Sequence, residues 1–454
     1  MTAAVALRQQ GTTDRLLLHV VTLASRRSEG TTKPMSIAPQ NQTLRRRWLV
    51  LGSGFLVMAS GFALRNGFSV FYPAIVDDFG WGRGDTAVMF SLSILVYGLL
   101  SPPVGHLVDR VRPQLVVFTG IIVLCGSTAL CAYATERWQF YILFGVIAAS
   151  GVSMIGVAPM GTSITPWFGR NRGLVFAVLA SGFGVSLVSA TALQYLISTH
   201  GWQRSFIIAG VAVAAVSIPL VLLFIRRAPR AAGPESDSTV SSTEAKALEP
   251  TSWHSAEWTL GRTLRTPQFW MLWAVGFCQI GLAEKVAISH QVYFFQDAGY
   301  SPAVAAAVYS LFGVAFVAGT VASALSDRTG REKMYLPGCA LALAGVVLLF
   351  FIRDAHSLWL AYLFAVLFGS GMGVMPPVMF ATIADLFHGK SYGAIQGMVV
   401  LGMSMGGAIS PWLGGYMHDV TGSYDSTLGM LVAALVASGI LVALAAPRRL
   451  NPVG

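Results

Sequence analysis

Three ionisable residues stand where sequences rarely place them: Arg65, Glu284 and Lys285 each fall inside a long apolar run. A charge at bilayer depth costs about 3 kcal/mol on insertion scales and persists where it is paired or functional. Two cations beside a cavity can bind an anion. Arg65 offers a planar fork of donors that matches a carboxylate, and Lys285 offers a point charge. Glu284 is the candidate coupling acid, able to take up a proton. Adjacent helical positions lie about 100° apart, so Glu284 and Lys285 are expected to diverge, one facing the cavity and the other a helix seam. The competing reading is a buried ion pair of Glu284 with one of the two cations. His290 reads as an ordinary hydrogen-bonded residue near a helix end, not as a proton relay. Asn66, Tyr72, Gln194, Tyr309 and Gln396 are further polar candidates for the cavity wall.

Other chemistries find no residues to carry them. Cys125, Cys131, Cys278 and Cys339 stand singly, without metal-ligand or disulfide spacing. No phosphate-binding glycine loop occurs, so any work done must draw on gradients. The net charge of +10 comes without a basic face or a nucleic-acid motif, which argues against a nucleic-acid partner. The sequence therefore reads as neither an enzyme nor a receptor, and no cofactor is expected.

The elements that must position these residues are membrane spans. Of the 454 residues, 54% are apolar and 11% charged, against roughly 25% charged in soluble domains. A span needs about 20 mostly apolar residues. Such runs occupy 48–75, 86–108, 114–134, 138–165, 172–198 and 203–225, then 267–296, 302–326, 333–352, 357–384, 391–417 and 424–446. Twelve spans follow, an all-α membrane protein. Residues 1–47 form an N-terminal tail whose apolar cluster, Leu16 to Leu23, is too short to cross. Residues 227–266 form a polar linker and 447–454 a C-terminal tail. With twelve spans, 24 of the 30 Lys and Arg fall on the side of both tails and the linker. Only Arg83, Arg137, Arg204 and Arg353 fall opposite, which places both termini in the cytoplasm.

The two sets of six repeat one another. Gly61-x-x-x-Arg65 returns as Gly281-x-x-x-Lys285, Gly80-Trp81 as Gly299-Tyr300, and Asp109-Arg110 as Asp327-Arg328. Gly156-Val-Ala-Pro159 returns as Gly373-Val-Met-Pro376 and Gly173 as Gly393, all at offsets of 217 to 220. Halves 48–226 and 267–446 are thus two copies of one design, with a binding site expected between them near the midplane.

At these positions the sequence resembles a known family. Gly105-His-Leu-Val-Asp109-Arg110-Val-Arg112 resembles the G-x-L-x-D-R-x-x-R signature of the major facilitator superfamily, and Ser323 to Arg331 is its second copy. Phe79-Gly-Trp81, the segment Ala384 to Gly393 and Gly414-Gly-Tyr-Met-His-Asp419 resemble the bacterial monocarboxylate and oxalate/formate carriers. The resemblance implies the major facilitator fold and a monomer in the cytoplasmic (inner) membrane. It implies carriage of a small organic anion, a monocarboxylate, by proton symport or by exchange for a counter-substrate. Those carriers hold charged residues in span 8, where this chain has none, so the second cation's role falls to Lys285. Asp109, Arg110 and Arg112, with Asp327, Arg328 and Arg331, are the gating candidates. A carboxylate there can pair across the halves in one access state and release in the other. Efflux of amphipathic compounds is the alternative, suggested by 26 Phe, 16 Met and 11 Trp. Against it, span 5 lacks the Gly-Pro-x-x-Gly-Gly that resembles drug/proton antiporters.

Overall fold

A computed structural model describes residues 40–156, 159, 160, 164, 168, 172–225, 258–387 and 392–445, and every element among them is helical. Much of the expected tails and linker lies outside these residues. Helix α1 runs Gln40–Asn66 and resumes after Gly67 as Phe68–Phe79. Helices α2 (Arg83–Arg110) and α3 (Pro113–Leu130) follow. Helix α4 comprises Arg137–Phe140, a π-helical stretch Tyr141–Ala148 and Ala149–Ile155. Helix α5 begins as Arg172–Val188 and continues into the helix Ala190–Phe224 as far as Gly201. There the backbone turns to φ 76°, ψ 161°, a conformation open to glycine, and 202–224 becomes α6.

In the second half, α7 comprises Pro267–Gly276, a π-helical stretch Phe277–Glu284 and Lys285–Asp297. Helix α8 is Pro302–Ala322, α9 Arg331–Leu349, α10 Leu358–Leu386, α11 Tyr392–Thr421 and α12 Asp425–Ala445. Eleven continuous helical stretches among the described residues are long and apolar enough to span a membrane. The 47-residue one, Val178–Phe224, breaks at Gly201, so it supplies two spans and the expected twelve are present. Their outward faces carry Leu99, Val211, Leu223, Ile440 and Leu444, as helices surrounded by lipid require.

The last residues of the expected linker carry structure. The linker was expected to reach residue 266, yet Trp258 is buried with its ring 5.1 Å from Phe387, and Leu260–Thr263 forms a helical turn. The indole packs on the end of α10, a long-range contact that polar composition does not announce.

Within each half the helices pack tightly, and glycines set the closest approach. A Cβ on Gly281 would lie 2.9 Å from the Gly406 Cα and 2.9 Å from the Met403 carbonyl oxygen, so α7 and α11 touch backbone to backbone. Gly281→Val should therefore overpack this crossing by roughly 1–3 kcal/mol, lowering the melting temperature of the purified protein by several degrees. Gly105→Ala, whose added Cβ meets nothing within 4 Å, should leave it unchanged. Equal melting temperatures for the two variants would contradict the proposed close crossing.

Candidate functional site

The break in α1 at Gly67 and the π-helical stretch of α7 lie beside the charged residues, which carries Arg65 and the Glu284–Lys285 pair to the seam between halves. Single π-helical turns commonly mark functional positions because they rotate the following side chains. Arg65 is 5% exposed; its Nε has no hydrogen-bond partner, and it makes no ion pair among the described residues. Its guanidinium stands over Tyr97 of α2 at 4.8 Å and over Phe90 at 5.9 Å, an aromatic support worth about 0.5–2 kcal/mol.

Across the seam Lys285 Nζ is ion-paired with Glu284 Oε1, and it lies 4.8 Å from the Phe183 ring of α5. The expected divergence of Glu284 and Lys285 is thus corrected: the two side chains meet in an ion pair, which keeps either charge from lying unpaired in a low-dielectric interior. Arg65 interacts electrostatically with both members of the pair, so three charges from the two halves form one cluster with a net charge of +1. Gly407 of α11 abuts the Lys285 stem, where a Cβ would lie 3.0 Å from Lys285 Cγ.

Asn66 and Tyr309 join this cluster. The Asn66 amide nitrogen donates to Ser186 Oγ at 2.9 Å, and the buried Tyr309 hydroxyl donates to the Asn66 carbonyl at 3.2 Å, tying α8 to α1. The other candidates lie elsewhere. Tyr72 donates its hydroxyl to the Arg83 carbonyl at 2.7 Å, near the end of the bundle opposite residues 225 and 258. Gln194 is buried in the outer part of α5, while Gln396 is half-buried one turn into α11, towards the linker end. His290 donates from Nε2 to the Pro411 carbonyl at 2.7 Å and meets the Tyr424 hydroxyl at 3.2 Å, a buried hydrogen-bonded residue as expected.

Among the gating candidates, the side chain of Asp109 lies outside the described residues, and Arg110 and Arg112 are exposed. In the second copy Arg331 bonds Asp327 and also reaches Asp385 at 2.9 Å, so that carboxylate is held within its own half. Arg328 is exposed.

The contact that closes the halves was not among the candidates. Arg83, at the start of α2, forks onto both oxygens of Asp297 at the end of α7, with Nη2 2.8 Å from Oδ1. The backbone N–H groups of Arg83 and Gly84 donate to the Asp419 carboxylate at 3.1 and 2.7 Å. The guanidinium also lies 3.7 Å from the Tyr293 ring centre and donates to His418 Nε2 and Tyr424 Oη, each at 3.2 Å. This latch joins the two halves at the end opposite residues 225 and 258. Two signals pointed to it: Arg83 is among the four basic residues on the sparse side, and His418-Asp419 closes one of the recognised segments.

Two six-helix repeats facing each other across a buried charge cluster define a secondary transporter. The chain belongs to the major facilitator superfamily, whose family model matches residues 50–355 and 286–453. It is 27% identical over 401 residues to monocarboxylate transporter 13 of Rattus norvegicus, covering 87% of this chain and 88% of that one. It is 24% identical over 410 residues to monocarboxylate transporter 2 of Homo sapiens, covering 87% and 84%. The uncharacterized MFS-type transporter YcxA of Bacillus subtilis is 24% identical over 402 residues, covering 87% and 94%. In fold it matches a bacterial homologue of the human lysosomal transporter Spinster in an inward-facing, occupied conformation. That match has a TM-score of 0.62 and 15% identity, covering 88% of this chain and 95% of the other.

Because Arg83 carries both the ion pair and the aromatic contact, Arg83→Gln should open the latch. A cysteine at Ser91, whose hydroxyl accepts the Trp412 N–H at 3.1 Å behind it, should then react several-fold faster with a membrane-impermeant maleimide applied from the latch side. An unchanged labelling rate would show that the seal does not depend on Arg83.

Proposed function

We propose that this transporter moves a small organic monoanion together with a proton by alternating access, with Arg65 as the carboxylate ligand. The observation that carries the reading is the charge balance at the seam: Lys285 is neutralised by Glu284, while Arg65 is buried without an ion-pair partner among the described residues. One net positive charge calls for one carboxylate and opposes amphipathic cations. The names of the relatives support the same class.

The coupling follows from the pair. Protonating Glu284 removes its charge and releases Lys285, so the cluster gains a second free cation for the same carboxylate. Proton uptake and anion binding then favour each other by linkage, and the loaded site carries the charge it had when empty. Tyr309, close to Glu284, and Asn66 hold the two halves around the occupied site. The latch at Arg83 breaks and remakes as the halves rock. The distribution of Lys and Arg supports cytoplasmic termini and linker in the cytoplasmic membrane, which puts the latch on the outer face.

In proteoliposomes Arg65→Ala should fold and lose anion uptake, while Arg65→Lys, which keeps the charge and loses the fork, should weaken uptake about 10- to 100-fold. Undiminished uptake by Arg65→Ala would defeat the assignment. Glu284 gives an independent check. Glu284→Gln should flatten the rise of uptake with falling pH on the donor side. Lys285→Gln alone should lower the folded yield by leaving a buried carboxylate unpaired, and Lys285→Gln with Glu284→Gln should recover it.

A further inference from the structure

We infer that the anion carries a large apolar body, best an aromatic ring, behind its carboxylate. The inference rests on the organic-anion reading above and narrows it. Both cations are faced by rings of the N-terminal half, Arg65 by Tyr97 and Lys285 by Phe183. Those two rings are bridged by Phe62, whose centroid lies 6.3 Å from Tyr97 and 5.8 Å from Phe183. From Phe183 the series crosses the seam to Phe316 of α8 at 5.5 Å. Four aromatic side chains from α1, α2, α5 and α8 thus form a continuous wall beside the charge cluster. Centroid spacings of 4.5–7 Å are those at which rings attract edge to face or offset, and another ring can extend such a series.

Phe62 and Phe316 are buried, whereas Tyr97 and Phe183 keep a partly exposed face. The partly exposed rings are the two nearest the cations, so the aromatic wall offers its least buried apolar surface beside the charge cluster. Two polar groups beside the cluster are already committed: the Asn66 amide nitrogen to Ser186 and the Tyr309 hydroxyl to the Asn66 carbonyl. A hydroxyl next to the substrate carboxylate would gain little there, while an apolar body would bury itself against the wall. The chemistry selects an aryl or aryl-alkyl monocarboxylate over acetate or a 2-hydroxy acid.

The test measures affinities of acetate, lactate, hexanoate, benzoate and 3-phenylpropionate for the purified full chain, by ligand-induced stabilisation and by competition for uptake in proteoliposomes. 3-Phenylpropionate should bind at least tenfold more tightly than acetate or lactate, with hexanoate between them. Phe183→Leu and Phe316→Leu, close in volume, should each lower the ratio of 3-phenylpropionate to acetate affinity several-fold. A ratio is read because misfolding depresses both affinities alike. Acetate or lactate binding as tightly as 3-phenylpropionate overturns the inference, as does an unchanged ratio in both variants. Binding of 3-phenylpropionate that survives Arg65→Ala also overturns it, being partition into apolar surface. If no carboxylate binds at all, the organic-anion reading itself has failed and this inference falls with it.

Discussion

A low-dielectric interior does not tolerate a lone charge, and the arrangement of this transporter depends on that constraint. Arg65 is the charge in question: buried, supported by Tyr97, and without an ion-pair partner among the described residues. A neighbouring carboxylate was available in Glu284, and the protein spends it on Lys285. Had Glu284 paired with Arg65, the seam would hold a closed ion pair and an ammonium, and the forked donor best suited to a carboxylate would be occupied. Instead the residue with the more specific geometry is left without an ion-pair partner among the described residues. The backbone supports this choice, since the irregular turns of α1 and α7 fall next to these three residues.

The latch answers a different requirement. Under the proposed alternating access, a contact that breaks in every cycle has to be strong enough to exclude solvent and weak enough to release. Arg83 and Asp297 sit at an end of the bundle where their side chains are 15% and 33% exposed. Water and salt there lower the cost of separating them, which a fully buried pair would not allow. Backbone donors at the start of α2 complete the seal by holding Asp419. Charge at the centre is thus buried, and charge at the rim is partly exposed.

The sequence made the architecture legible because lipid imposes a simple rule: each span is a long apolar run, and twelve runs with a polar linker can be counted. Its charged residues could be found for the same reason, since Arg65, Glu284 and Lys285 stand out against apolar neighbours. Pairing was not legible. Whether Lys285 turns to Glu284 depends on side-chain reach around a π-helical turn, and helical periodicity assumes that turn absent. Tyr97 and Phe183 were hidden because aromatic residues are everywhere in such spans, and only the packed structure shows which ones face a cation. Arg83 was hidden by its place at a loop, where a charge is unremarkable until Asp297, 214 positions away, is folded against it. Trp258 escaped for a related reason: one indole in a polar segment carries no periodic signal.

The repeat itself explains why the site has the charge it has. Arg65 and Lys285 occupy matched positions in the two halves, and a perfectly repeated protein would place two equal cations across the seam. The position before Lys285 breaks the symmetry. Glu284 corresponds, at the same offset of 220, to Leu64, which is buried in the apolar core of the first half. One carboxylate in place of an aliphatic side chain turns a doubly charged cavity into a singly charged one. The same substitution introduces a group that can exchange a proton between the two cations. In the proposed mechanism, stoichiometry for the anion and a handle for the proton therefore arise from a single departure from the repeat, while the scaffold around them keeps its two-fold design.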